Sequence, residues 1–473
     1  MNIIHHGART GVTGSCHEVR IGNYGLLIDC GLFQGEEGGS LLDIDFPIEH
    51  IRALLLTHCH IDHVGRLPWL LAAGFRGPIY ATEATAALLP LMLEDGLKIH
   101  LGLNKVQCSR FTQLVQQLLK PIPFDCRVEL ILPSSELVSI CFRPAGHILG
   151  SAYIELVLPE EGQVNHSCGH KVVFSGDLGP SNTPLHVDPQ SPEQVDTLVI
   201  ESTYGNKQHQ PVCQREQHLA SLIDRSLEDG GAVLIPAFSV GRTQELLFDI
   251  ENLIAKAITG ISRQLDSTVK WHQLPVILDS PLAMEVTQQY VTFQRLWTKE
   301  AKQRVISGRH PLSFEQCVTI NQHSDHIALV NRLKATGEPA IVVAASGMCA
   351  GGRIMNYLEA LLPEPQTDVV MVGYQARGTL GRQLLEQPKS VDINNRRVDV
   401  NAAIHSLSGY SAHADQDDLV QFVANIKHGP SQIRIVHGDV AAQEALAQQL
   451  ATTKPDCEII VTATETQDNF NRC

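Results

Sequence analysis

Several features are missing from this chain, and each absence removes a class of protein. No uncharged apolar stretch of its 473 residues approaches the roughly 18–20 residues that cross a bilayer, so no membrane partner is expected. The opening MNIIHHGART has no basic region leading into an apolar core, which argues against a secretory leader. The 12 cysteines are scattered, and no two stand as C-x-x-C. In a long chain they read as ordinary thiols of a reducing compartment, so a cytoplasmic location is expected. Basic charge is also short: 36 Lys and Arg against 51 Asp and Glu leave a net charge of −15. That argues against a broad, non-specific nucleic-acid surface but not against a local cationic channel. Low-complexity segments and repeats are absent too. With 43% hydrophobic and 18% charged residues, the composition is that of a globular protein of two or three domains.

The N-terminal part reads as β-rich. YGLLIDCG and IRALLLTH are short apolar runs ending in polar residues or glycine, as buried strands do. GRLPWLLAAGF reads as a helix, and GPIYATEATAALLPLML as a strand entering a helix. ELVSICFRPAGHILGSAYIELVLP places His147 in a loop between strands, while HKVVFSGDLGP and TLVIESTYGN are strands ending at Asp177 and Glu201. From about residue 206 helix and strand alternate, which suggests a parallel α/β unit. After about residue 390 short strands and closing helices return. Residues 1–205 and 391–473 therefore read as one domain, with 206–390 inserted into it.

THCHIDH, residues 57–63, sets His58, His60, Asp62 and His63 directly after the second strand, with Cys59 read as packing. Four ligand-type side chains this close would dehydrate one another without a cation to join them. Imidazoles with carboxylates and no thiolate suit zinc, with manganese or iron as substitutes.

THCHIDHVG resembles the H-x-H-x-D-H signature of metallo-β-lactamase-fold hydrolases. GVTGSCHEV, LIDCGLFQG, AGHILGSAYIEL, FSGDLGPSNTPL, IESTYGN, IPAFSVGRTQELL, DSPLA, AASGMCAGGRI, GYQARGTLGR and GYSAHADQDDL resemble, in order, the β-CASP branch of RNA-processing nucleases. The resemblance implies an α/β fold: a four-layer αββα metallo-β-lactamase domain with an inserted α/β β-CASP cap, and an active site between them. It implies two zinc ions per chain held by His58, His60, Asp62, His63, His147, Asp177 and His413. His58, His60 and His147 would form one set and Asp62, His63 and His413 the other, with Asp177 as the bridge. Asp29 would orient a ligand histidine, and Glu201 would orient a neighbouring histidine or help move a proton.

The family's eukaryotic members lead one to expect a proton-donating histidine shortly after the G-T-[LV] stretch, here GTLGRQLLE. Arg382 and Gln383 stand there instead. His405 and His437 are candidate replacements for that donor. Arg242 and Arg353 each adjoin glycine, and SGMCAGGR, which holds Ser346 and Arg353, reads as a phosphate cradle, with plain turns as the alternative. Tyr374 and Tyr204 are candidates to stack on a base, with a buried packing tyrosine as the equal alternative. NHSCGH (165–170) and NQHSDH (321–326) read as solvent-exposed loops.

The function expected is zinc-dependent hydrolysis of single-stranded RNA, endonucleolytic with exonuclease action as an addition, in a chain that can form a homodimer. A small-molecule ester or thioester hydrolase would share the metal motif but would not need the inserted cap. A non-catalytic RNA-binding paralogue would have lost ligands, and here all seven are present.

Overall fold

The computed structural model describes residues 1–34, 43–134, 136–159, 169–258 and 271–465. Most of NHSCGH lies outside the described residues; its His170 opens a strand, His170–Phe174. The chain divides into two units, one of residues 1–182, 186–208 and 413–473, the other of residues 183–185 and 209–412.

The first unit is built on two sheets. One runs, edge to edge, Asn2–His5, His17–Ile21, Tyr24–Ile28, Ile51–Leu55, Ile79–Thr82 and Leu119–Ile122. The other has seven strands: Glu458–Val461, Gln432–Ile435, Thr197–Ile200, His170–Phe174, Ala152–Leu158, Leu137–Pro144 and Arg127–Ile131. Alternation along each strand sorts the faces. Leu26 and Ile28 join Ile140, Phe142, Ile154, Val172 and Phe174 in the core between the sheets. Leu27 faces the other way, onto Leu67, Leu70, Leu89 and Leu93 of the helices Leu67–Ala72 and Glu83–Leu101. On the far side Val173 and Leu198 pack on Leu419 and Phe422 of helix Gln416–Ala424 and on Leu446 and Leu450 of helix Val440–Thr453. The order helices–sheet–sheet–helices is the expected αββα sandwich.

The second unit holds a parallel six-stranded sheet in the order Cys317–Thr319, Val276–Asp279, Ala340–Ala344, Ala232–Pro236, Asp368–Met371 and Ala403–Ser406. Its core includes Leu234, Val342, Val369, Tyr357 and Leu358. Residues 391–412 stay with this unit instead of rejoining the first at residue 391. Val391, Ile393 and Val398 of the hairpin Ser390–Ile393/Arg396–Asp399 enter its core, and Ala403–Ser406 pairs with Asp368–Met371. NQHSDH is not an exposed loop throughout. A helix starts at His323, and His326 is fully buried, bonded to Asp279 at 2.6 Å and Asn356 at 2.8 Å.

Candidate metal centre

The site of the first unit grows from strand ends. His58 lies just past Ile51–Leu55, and Asp62 and His63 sit in the short helix Ile61–Val64. Gly31 lets that helix approach: a Cβ there would stand 1.5 Å from the Asp62 carbonyl oxygen, so no other residue fits. Asp29, at φ +58, closes strand Tyr24–Ile28. His147 belongs to the loop between Leu137–Pro144 and Ala152–Leu158, Asp177 follows His170–Phe174, and Glu201 follows Thr197–Ile200.

Asp29 sets two imidazoles at once. Its Oδ2 accepts the Nδ1–H of His63 at 2.7 Å. It also accepts the Thr57 hydroxyl hydrogen at 2.8 Å, while Oδ1 accepts the Thr57 N–H at 2.8 Å. With its one hydrogen committed, Thr57 Oγ1 accepts from His58 Nδ1, 3.1 Å away. Both histidines thus keep Nε2 bare for a ligand.

The bare nitrogens converge. His60 Nδ1 lies 3.1 Å from His58 Nε2 and 3.0 Å from His147 Nε2. Asp177 Oδ2 is 3.6 Å from each of those Nε2 atoms, and its Oδ1 is 3.3 Å from His63 Nε2 and 3.6 Å from His437 Nδ1. His437 Nε2 stands 3.6 Å from Asp62. Ligand atoms therefore gather as His58, His60, His147 and Asp177, and as Asp62, His63, Asp177 and His437. Among the described residues, both Asp177 oxygens, His63 Nε2 and His437 Nε2 are buried without a hydrogen-bond partner. Buried polar atoms are rarely left so unless an ion or water satisfies them. The electrostatics agree. Burial holds His58 well below its ordinary pKa and His60 down to about 4, so both are neutral donors. Burial also opposes charge on Asp177 and on His437. Yet the His437, His63 and His413 imidazoles hold Asp177 well below the usual carboxylate range, and Asp177 and Asp62 pull His437 up to about 9. The carboxylates draw positive charge into this half of the site, as they would a cation. These residues fit bound metal, and Asp177 belongs to both groups.

The expected second set of Asp62, His63 and His413 is not the one that converges. His437 takes the place given to His413, and His413 turns to Glu201, whose Oε2 and Oε1 lie 3.1 and 3.3 Å from His413 Nδ1. His413 still lies 3.8 Å from Asp177 Oδ2, in a third group of Asp177, Glu201 and His413. His437 has a left-handed φ of +52, and Thr203 Oγ1 lies 3.1 Å from its Nδ1. Its signal was VHGD, a histidine at the end of strand Gln432–Ile435. Thr57, which fixes His58, carried no signal beyond standing before the motif.

The candidates in the second unit are otherwise engaged. His405 Nε2–H donates to Asp368 Oδ1 at 2.6 Å, and among the described residues no ligand group includes it. Arg242 is buried and bound to Glu245 at 3.0 Å and to the Tyr410 carbonyl. Arg353 is committed to Asp279 and, at 2.8 Å, to the carbonyls of Ile320 and Asn321. Neither arginine is a free phosphate arm, because a carboxylate engages each: Glu245, one turn on, for Arg242, and Asp279, far back in the chain, for Arg353. Ser346 Oγ closes its own turn through Ala350 and Gly351. Tyr374 is half-buried. Tyr204 is the tyrosine at the metal groups, 6.2 Å from the His413 ring.

Three family models match: the metallo-β-lactamase superfamily over residues 9–144, the β-CASP domain over 243–384, and a Zn-dependent metallo-hydrolase RNA specificity domain over 397–461. Ribonuclease TTHA0252 of Thermus thermophilus is 34% identical over 95% of this chain and 96% of its own length. Transcription termination factor FttA of Methanocaldococcus jannaschii is 30% identical over 92% of this chain, which spans 66% of that factor. A protein of unknown function from Enterococcus faecalis V583 shares the fold, with a TM-score of 0.51, 14% identity and 97% of each chain covered. The chain belongs to the β-CASP family of metallo-β-lactamase-fold RNA nucleases. It is a metal-dependent hydrolase. Among the described residues no helix is long and apolar enough to cross a membrane.

Proposed function

We propose that this chain is a ribonuclease that cleaves phosphodiester bonds of single-stranded RNA with two zinc ions. The observation that carries the reading is Asp177, whose two unpartnered oxygens face different sets of bare imidazole nitrogens. His58, His60, His147 and Asp177 would hold one ion; Asp62, His63, His437 and Asp177 would hold the other. Paired cations, when bound, activate a water and neutralise charge on a phosphate. The chain's own residues supply the rest. Asp29 and Thr57 keep His63 and His58 in the metal-binding tautomer. Glu201 is buried and accepts only, so it takes the Nδ1–H of His413 and leaves that ring's Nε2 to hold a proton for the leaving oxygen. Burial disfavours the charged ring, but Glu201 and Asp177 hold His413 above its ordinary pKa. It is the donor for which GTLGR offered no histidine. Homology to a protein named as a ribonuclease, over nearly the whole of both chains, favours RNA as substrate. The test is incubation of pure protein with end-labelled single-stranded RNA. Cleavage should vanish with chelator and return with zinc; cleavage indifferent to both would refute the reading.

A further inference from the structure

GVTGSCHEV supplies two buried residues, Ser15 and His17, that the reaction above does not use. His5 and His17 pair across the antiparallel strands Asn2–His5 and His17–Ile21, with Nδ1 atoms 3.0 Å apart. Arg434 Nε donates to His5 Nε2 at 2.9 Å and is itself held by Glu465 at 2.8 Å. A guanidinium can only donate, so His5 Nε2 accepts and the His5 proton sits on Nδ1. That proton is given to His17 Nδ1, so the His17 proton sits on Nε2. The charge state agrees with this order: burial, followed by the charge of His437 and His63, takes His17 down to about 3, which leaves it neutral.

The His17 Nε2–H points to Ser15 Oγ at 3.4 Å, and Ser15 Oγ points to Asp29 Oδ2 at 3.5 Å. Both contacts are long. They border a small cavity lined by Ser15, His17, Asp29, His63, Ser175 and His437, among others, with about 10 Å³ of space for the centre of a water. That is about what one ordered water needs, and the polar lining offers it several partners. The Ser15 N–H also donates to the Asp62 carbonyl at 2.8 Å, so this residue touches the motif from a second side.

We infer that His17 is a positioning residue for the second metal group, acting with a cavity water through Ser15 and Asp29 on His63, and that Arg434 sets its tautomer through His5. The inference rests on the two-metal reading. Direction passes from Arg434 inward, each ring fixing the next, and ends at the carboxylate oxygen that holds His63 Nδ1–H. An apolar residue at 17 removes the donor to Ser15 Oγ and the cavity water, so the hydroxyl that donates to Asp29 Oδ2 is no longer fixed and His63 loses its set orientation.

The test titrates metal-stripped wild type, His17→Leu and His17→Gln with Co2+, reading stoichiometry and visible absorption. Wild type takes two ions. His17→Leu weakens one of the two by about 10–100-fold, the usual cost of losing such a supporting partner, and leaves the other unchanged. His17→Gln retains an N–H donor near the Nε2 position and stays within about threefold of wild type. A packing role alone would make the leucine the milder change. Second-ion affinity in His17→Leu equal to wild type, or equal loss in both variants, overturns the inference. A wild type that takes fewer than two ions overturns the two-metal reading with it. Independently of any variant's folding, 15N-histidine spectra of wild type should show His5 as the Nδ1–H tautomer and His17 as the Nε2–H tautomer. The reverse pair overturns the chain.

Discussion

Glu201 Oε2 lies 3.1 Å from Nδ1 of His413, and Glu201 Oε1 is fixed by the Leu178 N–H at 2.6 Å. The carboxylate is thus aimed before the imidazole meets it. Glu201→Gln should lower the single-turnover cleavage rate toward the 10²–10⁴-fold that a general acid is typically worth. Metal content should be unchanged, because neither of the two groups assigned an ion contains Glu201. A variant cleaving at the wild-type rate would remove His413 from the proton-donor role.

Asp62→Ala and His63→Ala should abolish RNA cleavage while the far-UV circular dichroism of the protein stays native. Both residues sit in a one-turn helix at a strand end, and their ligand atoms serve the second group. Near wild-type cleavage by either variant under strict metal control would contradict the pairing of Asp62 with His63.

Arg353→Ala should act through stability. The change leaves the buried Asp279 with only His326 and Tyr357 to offset its charge. Losing one partner of such a network costs about 2–3 kcal/mol. RNA cleavage and hydrolysis of a small phosphodiester should then fall together, in step with the folded fraction. Selective loss of RNA binding in a fully folded variant would restore the phosphate-cradle reading.

Arg353 also shows where sequence reading stops. Glycines beside an arginine suggest a cradle, but Asp279 stands 74 positions away and claims the guanidinium first. The strands were legible as short apolar runs such as YGLLIDCG, but the αββα order came only through the family resemblance, because Leu26 and Leu27 do not say which sheet or helix lies on either face. THCHIDH was legible because four ligands share one loop, where crowding is a local matter. The choice between His413 and His437 was not. Each follows a strand-end signal, and only the fold decides which comes to Asp62, more than 350 residues earlier by their numbers. Glu201 was legible as a histidine partner, but the histidine it holds was not.

Acid should destabilise the protein through His17. The folded state holds this ring neutral down to about 3, whereas an unfolded chain takes up the proton near the ordinary 6.5. Between those values the unfolded state binds the extra proton, so stability falls as pH falls, by up to about 1.4 kcal/mol per pH unit for this group. His17→Gln should lose that share of the slope in denaturant melts between pH 6 and 5, read as about one proton fewer taken up on unfolding. An unchanged slope would mean that His17 is charged in the folded protein, against the tautomer chain from Arg434.

The most direct measurement of the metal-centre account is metal content in wild type, His437→Ala and His413→Ala, purified alike and counted per chain. The assignment of His437 to the second group, with His413 left to Glu201, predicts two, one and two ions, with His413→Ala defective in cleavage despite full loading. One ion in His413→Ala and two in His437→Ala would contradict it.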